Sequence, residues 1–151
     1  MNTLANRGIP RPVNTLVAPS VADAVALVGR ILLAVIFITS GWGKIGGFEQ
    51  TAGMMASKGI PMAHVALVIT ILIELGAGIL LVVGYKARWS ALAIAAWLVP
   101  VTVMFHGFWA VPADQVMNQT NHFFKNVAIF GGMLMVFAFG PGRYSIDKPN
   151  G

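Results

Sequence analysis

Four long apolar segments restrict what this chain can fold into more than any other feature of its sequence. They cover about residues 24–41, 63–83, 89–108 and 123–140. Each is close to the roughly 20 residues that a helix needs to cross ~30 Å of hydrocarbon. Each is also apolar on all sides rather than along one stripe, which is typical of helices that face lipid. The pattern predicts an all-α polytopic membrane protein, a bundle of four transmembrane helices.

The charge content indicates the same surroundings. Charged residues make up 10% of the chain and hydrophobic residues 57%, whereas a soluble domain carries about 25% charged residues. The net charge of +5 comes from basic residues in short loops, with no cluster that could follow a phosphate backbone. We therefore expect contact with a lipid bilayer and exclude nucleic acid as a partner. The absence of cysteine excludes disulfides and iron–sulfur clusters bound by thiolates.

The segments divide the chain into a membrane domain and two tails. Residues 1–22 contain three prolines and no apolar run, which predicts a flexible N-terminal tail, and 148–151 form a C-terminal tail. The membrane domain is predicted to occupy 23–147. Within it, apolar residues recur at helical spacing over 48–59, which fits either a short interfacial helix or an ordinary loop.

The distribution of Lys and Arg predicts the orientation. With four spans, both termini and the loop between the second and third spans share one face. That face carries seven basic residues: Arg7, Arg11, Arg30, Lys86, Arg88, Arg143 and Lys148. The opposite face carries three: Lys44, Lys58 and Lys125. Because cytoplasmic loops are enriched in basic residues, both termini are predicted to be cytoplasmic.

Two charged residues lie inside apolar segments and form a candidate intramembrane polar site. A charge at the bilayer centre costs ~2.5–3.5 kcal/mol on insertion scales, so such residues usually face the bundle and pair. Counting ~1.5 Å of rise per residue places Arg30 and Glu74 within ~4–5 Å in depth, and Lys44 ~16 Å above Glu74. The count predicts an Arg30–Glu74 ion pair. Glu74 would carry protons, contact a quinone or ligand, or only stabilise helix packing.

A second candidate site lies at the outer ends of the predicted helices. Its members are Ser40, Lys44, His106, Lys125 and Asn126, which share a similar depth. They are predicted either to line a pocket between the first, third and fourth spans or to form an ordinary hydrogen-bonded layer at the interface. The chain has only three histidines, and no two are four residues apart. We therefore predict no metal site.

Six stretches, in this order, resemble the DoxX family of small bacterial membrane proteins. They are GRILLAVIFITSGWGKI (29–45), KGIP (58–61), IELGAGILLVVGYKAR (73–88), FHGFW (105–109), FFKNVAIFGGML (123–134) and GPGRYSID (140–147). The resemblance implies a four-helix, multi-pass protein of the bacterial inner membrane. Members of the family have been linked to quinone-coupled oxidation of sulfur compounds and to oxidative-stress complexes with soluble redox partners. Polar positions of the family pattern fall on Arg30, Lys44, Glu74, His106, Lys125 and Asn126, without an established catalytic role.

These observations favour a redox-associated, quinone-linked membrane subunit that works with a soluble or membrane redox partner. Two alternatives stay open. One is a small proton-coupled transporter that uses Glu74 as its proton or ion site. The other is a non-catalytic scaffold that recruits soluble redox enzymes through Lys86, Arg88 and the tails. Whether the chain is an enzyme, and whether it forms a homo-oligomer, is left open by the sequence.

Overall fold

The computed structural model describes residues 18–147, which form a helical bundle without strands. The helices are α1 (Pro19–Gly46), α2 (Phe48–Ser57), α3 (Ala63–Val83), α4 (Ala87–His106) and α5 (Ala113–Phe139). A 3₁₀ turn at Phe108–Ala110 connects α4 to α5. All of these helices except α2 are long and apolar enough to cross a membrane. The prediction of an all-α fold with four membrane-spanning helices is therefore confirmed.

The helix bounds differ from the predicted spans mainly at two places. α1 begins at Pro19, so residues 19–22 belong to a helix rather than to a tail. Proline suits the first turn of a helix, where its fixed φ is already helical and its missing N–H is not needed. α5 begins at Ala113 rather than near residue 123, because a polar helical stretch precedes its apolar part. Residues 1–17 of the predicted N-terminal tail and residues 148–151 lie outside the described residues.

The spanning helices form a closed ring in the spatial order α1, α3, α4, α5. Small residues let neighbouring backbones approach, as is common between membrane helices. A Cβ atom on Gly41 of α1 would lie 2.8 Å from Leu75 Cγ of α3, and one on Gly132 of α5 would lie 2.9 Å from Leu33 Cδ2. The core inside the ring is formed by small and branched side chains, among them Ala34, Ala91 and Ile94.

The two ends of the bundle differ. The terminal face holds the start of α1, the connection from α3 to α4, and residues 140–147. Here Asp147 accepts hydrogen bonds from the backbone N–H groups of Lys86 and Ala87, both at 2.9 Å. The Arg88 guanidinium donates to the carbonyls of Phe137 and Ala138 at the end of α5. The α2 face lies at the opposite end and holds α2 and the start of α5.

α3 contains a π-helical segment, Leu72–Ala77, between two α-helical parts. A π-helical turn accommodates one more residue than an α-helical turn, and such turns occur frequently at functional sites. Glu74 lies within this segment and is buried. The irregular turn therefore coincides with the one carboxylate that the sequence places in the middle of an apolar span.

Candidate functional site

A cavity of about 620 Å³ lies among the five helices and is called the central cavity below. Its wall is mostly apolar, with side chains such as Ile36, Met54 and Phe105. All five residues of the predicted outer-face site line it, and so does Glu74: Ser40, Lys44, Glu74, His106, Lys125 and Asn126. The structure thus gathers two separately predicted groups around one space, apart from Arg30.

Lys44 and Glu74 form the charged part of the cavity wall. Lys44 Nζ lies 3.0 Å from Glu74 Oε1 and 2.9 Å from Oε2, so it donates to both carboxylate oxygens. It also donates to Ser40 Oγ, one helical turn earlier on α1. The Glu74 side chain is 9% exposed and that of Lys44 24%. The three donors of the ammonium group are therefore all engaged, and the carboxylate is paired despite its burial.

The predicted Arg30–Glu74 pair is wrong, since Arg30 forms its hydrogen bonds at the terminal face instead. Its Nη1 donates to the carbonyls of Leu81 (2.8 Å) and Val82 (3.0 Å), and its Nη2 donates to the carbonyl of Tyr144. Leu81 and Val82 belong to the last turn of α3, where carbonyls have no partner within the helix. Arg30 is buried and acts as a cap that ties α1 to α3 and to the C-terminal segment.

The register of α1 against α3, together with side-chain direction, explains why depth counting chose the wrong partner. The Cα–Cβ bonds of an α-helix tilt toward its N-terminus, and α1 and α3 run antiparallel. Lys44 therefore leans back along α1 toward Glu74, and Glu74 leans back along α3 toward Lys44. Arg30, on the same helix as Lys44, also leans toward the terminal face, which takes it away from Glu74. A Cβ atom on Gly41 would lie 3.2 Å from the Cβ atom of Glu74, so Lys44, three residues after Gly41, lies only ~4.5 Å above Glu74 in depth rather than ~16 Å. The count took residues 24 and 83 to lie at one depth, whereas Arg30 lies beside Gly84 at the end of α3.

Close packing of α1 on α3 holds this pair in place. A Cβ atom on Gly41 would lie 3.2 Å from the Cβ atom of Glu74. Gly41 lies between Ser40 and Lys44 on α1, so α1 and α3 are in close contact beside the ion pair. A larger residue at this position would push the π-helical turn of α3 away and lengthen the contact.

The wall formed by α4 and α5 carries a second polar group. Asn126 is buried and donates through Nδ2 to Thr102 Oγ1 at 3.0 Å, while Thr102 Oγ1 donates to the Leu98 carbonyl at 2.6 Å. The two helices are thereby joined by hydrogen bonds within the apolar part of the bundle. Their geometry fixes the orientation of the Asn126 side chain at the cavity.

Two stacked histidines lie toward the α2 face. The rings of His106 and His122 have centroids 5.0 Å apart at an angle of 24°. His106 Nδ1 lies 2.9 Å from Gln119 Oε1, and Lys125 Nζ lies 3.0 Å from His122 Nδ1. In the part of the chain that the structure describes, no group of three or more His, Cys, Asp or Glu side chains is placed to bind a metal. The cluster is a set of hydrogen-bonding groups beside the cavity.

Sequence reasoning missed Gln119 and Trp97, although each carried a signal. Gln119, His122 and Asn126 follow helical spacing and share a face once α5 is extended toward residue 113. Trp97 is the one tryptophan away from the end of an apolar segment, where interfacial tryptophans belong. It lines the central cavity, and its Nε1–H is buried without a hydrogen-bond partner among residues 18–147.

Comparison with known proteins identifies the family. The DoxX family model matches residues 25–107, which span α1 to the end of α4. The chain belongs to the DoxX family. Lys44, Glu74, Trp97 and His106 lie within the matched region, while Lys125 and the rest of α5 follow it. The resemblance noted from the sequence motifs is thus confirmed.

Two relatives from Escherichia coli (strain K12) match most of their own length. The inner membrane protein YqjF is 39% identical over 126 residues, 83% of this chain and 92% of the relative. The inner membrane protein YphA is 35% identical over 150 residues, 98% of this chain and 99% of the relative. With the four apolar helices, these relatives place the chain among multi-pass inner-membrane proteins.

A more distant relative is eukaryotic. A Surfeit locus protein 4 homolog from Drosophila melanogaster is 30% identical over 124 residues, which is 81% of this chain but only 39% of that protein. The similarity therefore concerns one part of a longer protein. No solved structure matches this chain.

Proposed function

We propose that this protein is a quinone-binding subunit of a membrane redox system. The observation that carries the proposal is the central cavity, which combines an apolar wall with the Lys44–Glu74 pair and with Trp97, whose Nε1–H has no partner among residues 18–147. Quinones dissolve in the bilayer that surrounds the helices lining this cavity. Its ring needs hydrogen-bond donors for two carbonyl oxygens, and the remainder of the molecule needs apolar surroundings.

The residues present fit this ligand in size and in hydrogen bonding. Ligand cavities usually measure about 300–1,000 Å³, and the central cavity, at about 620 Å³, lies in this range. Trp97 Nε1 can only donate, and quinone oxygens can only accept. A buried donor without a partner costs ~1–3 kcal/mol, and a rotation of the indole that brings Nε1 to the cavity surface would give it the acceptor that the described residues do not provide. The indole ring also offers a flat face to a quinone ring.

The charged pair supplies proton-exchanging groups at the same wall. A bound quinone supplies two-electron redox chemistry that is coupled to two protons. Lys44 holds a proton at Nζ and Glu74 presents a carboxylate that accepts one. Ser40 keeps the ammonium group of Lys44 against Glu74, so the two groups stay together at the cavity. Electrons are exchanged with a separate redox partner, which we place among the soluble or membrane proteins that associate with this subunit.

Quinone carried through purification tests the proposal. We expect solvent extracts of the protein, purified in a mild detergent, to contain quinone in nearly stoichiometric amount. Trp97→Phe keeps an aromatic ring but removes the N–H donor. It should lower the amount of bound quinone several-fold, which corresponds to the ~1 kcal/mol of one hydrogen bond. Trp89→Phe is the matched control, since Trp89 is 66% exposed and does not line the cavity. Absence of quinone from the wild-type protein, or equal loss in both variants, would refute it.

A proton-coupled transporter is a second candidate because the buried Lys44–Glu74 pair lies at a π-helical turn facing the cavity. A carboxylate that changes partners within a membrane protein can couple protons to a substrate. In liposomes, a transporter would show proton-gradient-dependent flux that Glu74→Gln abolishes. Quinone binding without such flux selects the redox subunit.

The scaffold alternative relied on Lys86 and Arg88 as docking groups for soluble enzymes, and the structure leaves only one of these two side chains free to dock a partner. The Arg88 guanidinium is bound to two carbonyls of α5, so it is not a free docking group. Lys86 is exposed on the terminal face. A scaffold would retain a soluble partner during purification, in the absence of both bound quinone and flux.

A further inference from the structure

The charges around the central cavity do not balance. Three lysines line it, Lys44, Lys58 and Lys125, whereas Glu74 alone among the carboxylates of residues 18–147 does so. Glu74 neutralises Lys44. Lys58 and Lys125 have no carboxylate within ion-pairing distance in the described part of the chain. Two uncompensated positive charges therefore remain at one cavity.

These two lysines approach the cavity from different elements. Lys58 follows the end of α2, and Lys125 lies on α5; both are exposed as well as lining the cavity. They are therefore at its rim, where a bound head group would remain in contact with the polar surroundings. Lys125 lies beside His122, and His106 adds a further hydrogen-bonding group at the wall. A rim of this kind attracts negative charge, and the neighbouring low-dielectric protein and lipid strengthen the attraction.

The remainder of the wall suits an apolar chain of variable shape. Met54, Met55 and Met104 all line the cavity. Methionine is unbranched and flexible, so it adapts to ligands without a fixed outline. A head group held at Lys58 and Lys125 would leave its hydrocarbon chain among these side chains.

We propose that the central cavity binds an amphipathic organic anion from the bilayer, with a carboxylate or phosphate head at Lys58 and Lys125 and an apolar chain inside. This proposal depends on the cavity but not on quinone binding. Because both ligands would occupy the same apolar space, the anion should compete with a quinone. The anionic head distinguishes this ligand from neutral lipids that the apolar wall alone would accept.

Quenching of tryptophan fluorescence by brominated lipids measures this preference. The protein is placed in nanodiscs of phosphatidylcholine, and dibromostearate is compared with dibromostearyl alcohol, which has the same chain and a neutral head. We expect the carboxylate to bind roughly tenfold more tightly, which corresponds to ~1.4 kcal/mol. Parallel measurements with brominated phosphatidic acid determine whether a free carboxylate or a lipid phosphate is the preferred source of the anion. Trp42, Trp89 and Trp109 are exposed and are quenched from the bilayer in every sample. Binding in the cavity is therefore measured as the part of the quenching that Trp97→Phe removes, because Trp97 lines the cavity.

Variants at the rim decide the outcome. Lys58→Gln combined with Lys125→Gln should reduce the preference for the anion to less than roughly threefold. Lys58→Arg with Lys125→Arg keeps the charge and should retain the preference, which guards against a folding defect in the glutamine variant. Lys86→Gln is the control for a lysine outside the cavity. Equal binding of the carboxylate and the alcohol, or an unchanged preference in the double glutamine variant, would overturn the proposal. Quinone content measured on the same samples reports separately on the proposed function.

Discussion

At the scale of single residues, the account depends on the contact between Lys44 and Glu74. Moving a carboxylate out of water is costly, and a paired lysine offsets part of that cost only while the geometry is maintained. Here Lys44 reaches both oxygens of Glu74, and Ser40 holds the ammonium group from the other side. Neither residue should therefore tolerate the loss of the other without a cost in stability.

A double-mutant cycle measures this dependence. Lys44→Met and Glu74→Gln should each lower the free energy of unfolding by about 1–3 kcal/mol, less than the ~3–5 kcal/mol of a fully buried pair because Lys44 is 24% exposed. The double variant should be less destabilised than the sum of the two. Unfolding in mixed micelles supplies the values.

The same cycle with Arg30→Gln in place of Lys44→Met serves as the comparison. Arg30 caps carbonyls at the terminal face and does not contact Glu74. The losses in the free energy of unfolding caused by Arg30→Gln and by Glu74→Gln should therefore add. Coupling between Arg30 and Glu74, together with additivity between Lys44 and Glu74, would contradict the structure.

At the scale of helices, the apolar segments predicted the number and order of the spanning helices because each carries its own hydrophobic signal. The polar partners could not be predicted in the same way. Counting residues from the predicted span ends misplaced Lys44 relative to Glu74, because the register of α1 against α3 is set by their close approach at Gly41. The residues of the outer-face group were predictable from depth, whereas Gln119 required the extended start of α5.

Gly41 and Gly43 offer a matched pair for testing helix packing. Both lie on α1, but a Cβ atom on Gly41 would meet Leu75 and Glu74, whereas one on Gly43 would have nothing within 4 Å. Gly41→Ala should lower the free energy of unfolding by ~1–3 kcal/mol through overpacking. Gly43→Ala should be neutral or raise it by up to ~1 kcal/mol, because alanine favours the helix. Equal effects would show that α1 and α3 are not in close contact at Gly41.

Gly84 tests the packing of the terminal face. Its φ of +70° favours glycine, and a Cβ atom there would clash with Ser145 and with the Arg30 guanidinium. Gly59 has a φ of +77° but open space around it. Gly84→Ala should therefore lower the thermal midpoint more than Gly59→Ala, and the difference isolates the steric part. Similar losses in both variants would show that the positive φ alone lowers the thermal midpoint, and that Gly84 is not closely packed against Ser145 and Arg30.

At the scale of the whole molecule, the positive-inside bias remains a prediction of orientation that labelling can test. The chain contains no cysteine, so single cysteines give a label without background. A membrane-impermeant maleimide should label Ser57→Cys, on the α2 face, in intact spheroplasts. Gly151→Cys should react only after lysis. The reverse pattern would place both termini outside the cytoplasm and invert the assignment of the two faces.

Photo-crosslinking with an azido-quinone tests the central claim, that the cavity binds a quinone, most directly. The probe is added to membranes that contain the protein, and crosslinked peptides are identified by mass spectrometry. We predict labels on cavity-lining residues such as Ser40, Met54 and Trp97, with competition by unlabelled quinone and weaker labelling in Trp97→Phe. Labels confined to exposed apolar residues outside the cavity, such as Val25 and Phe139, without competition, would contradict the account.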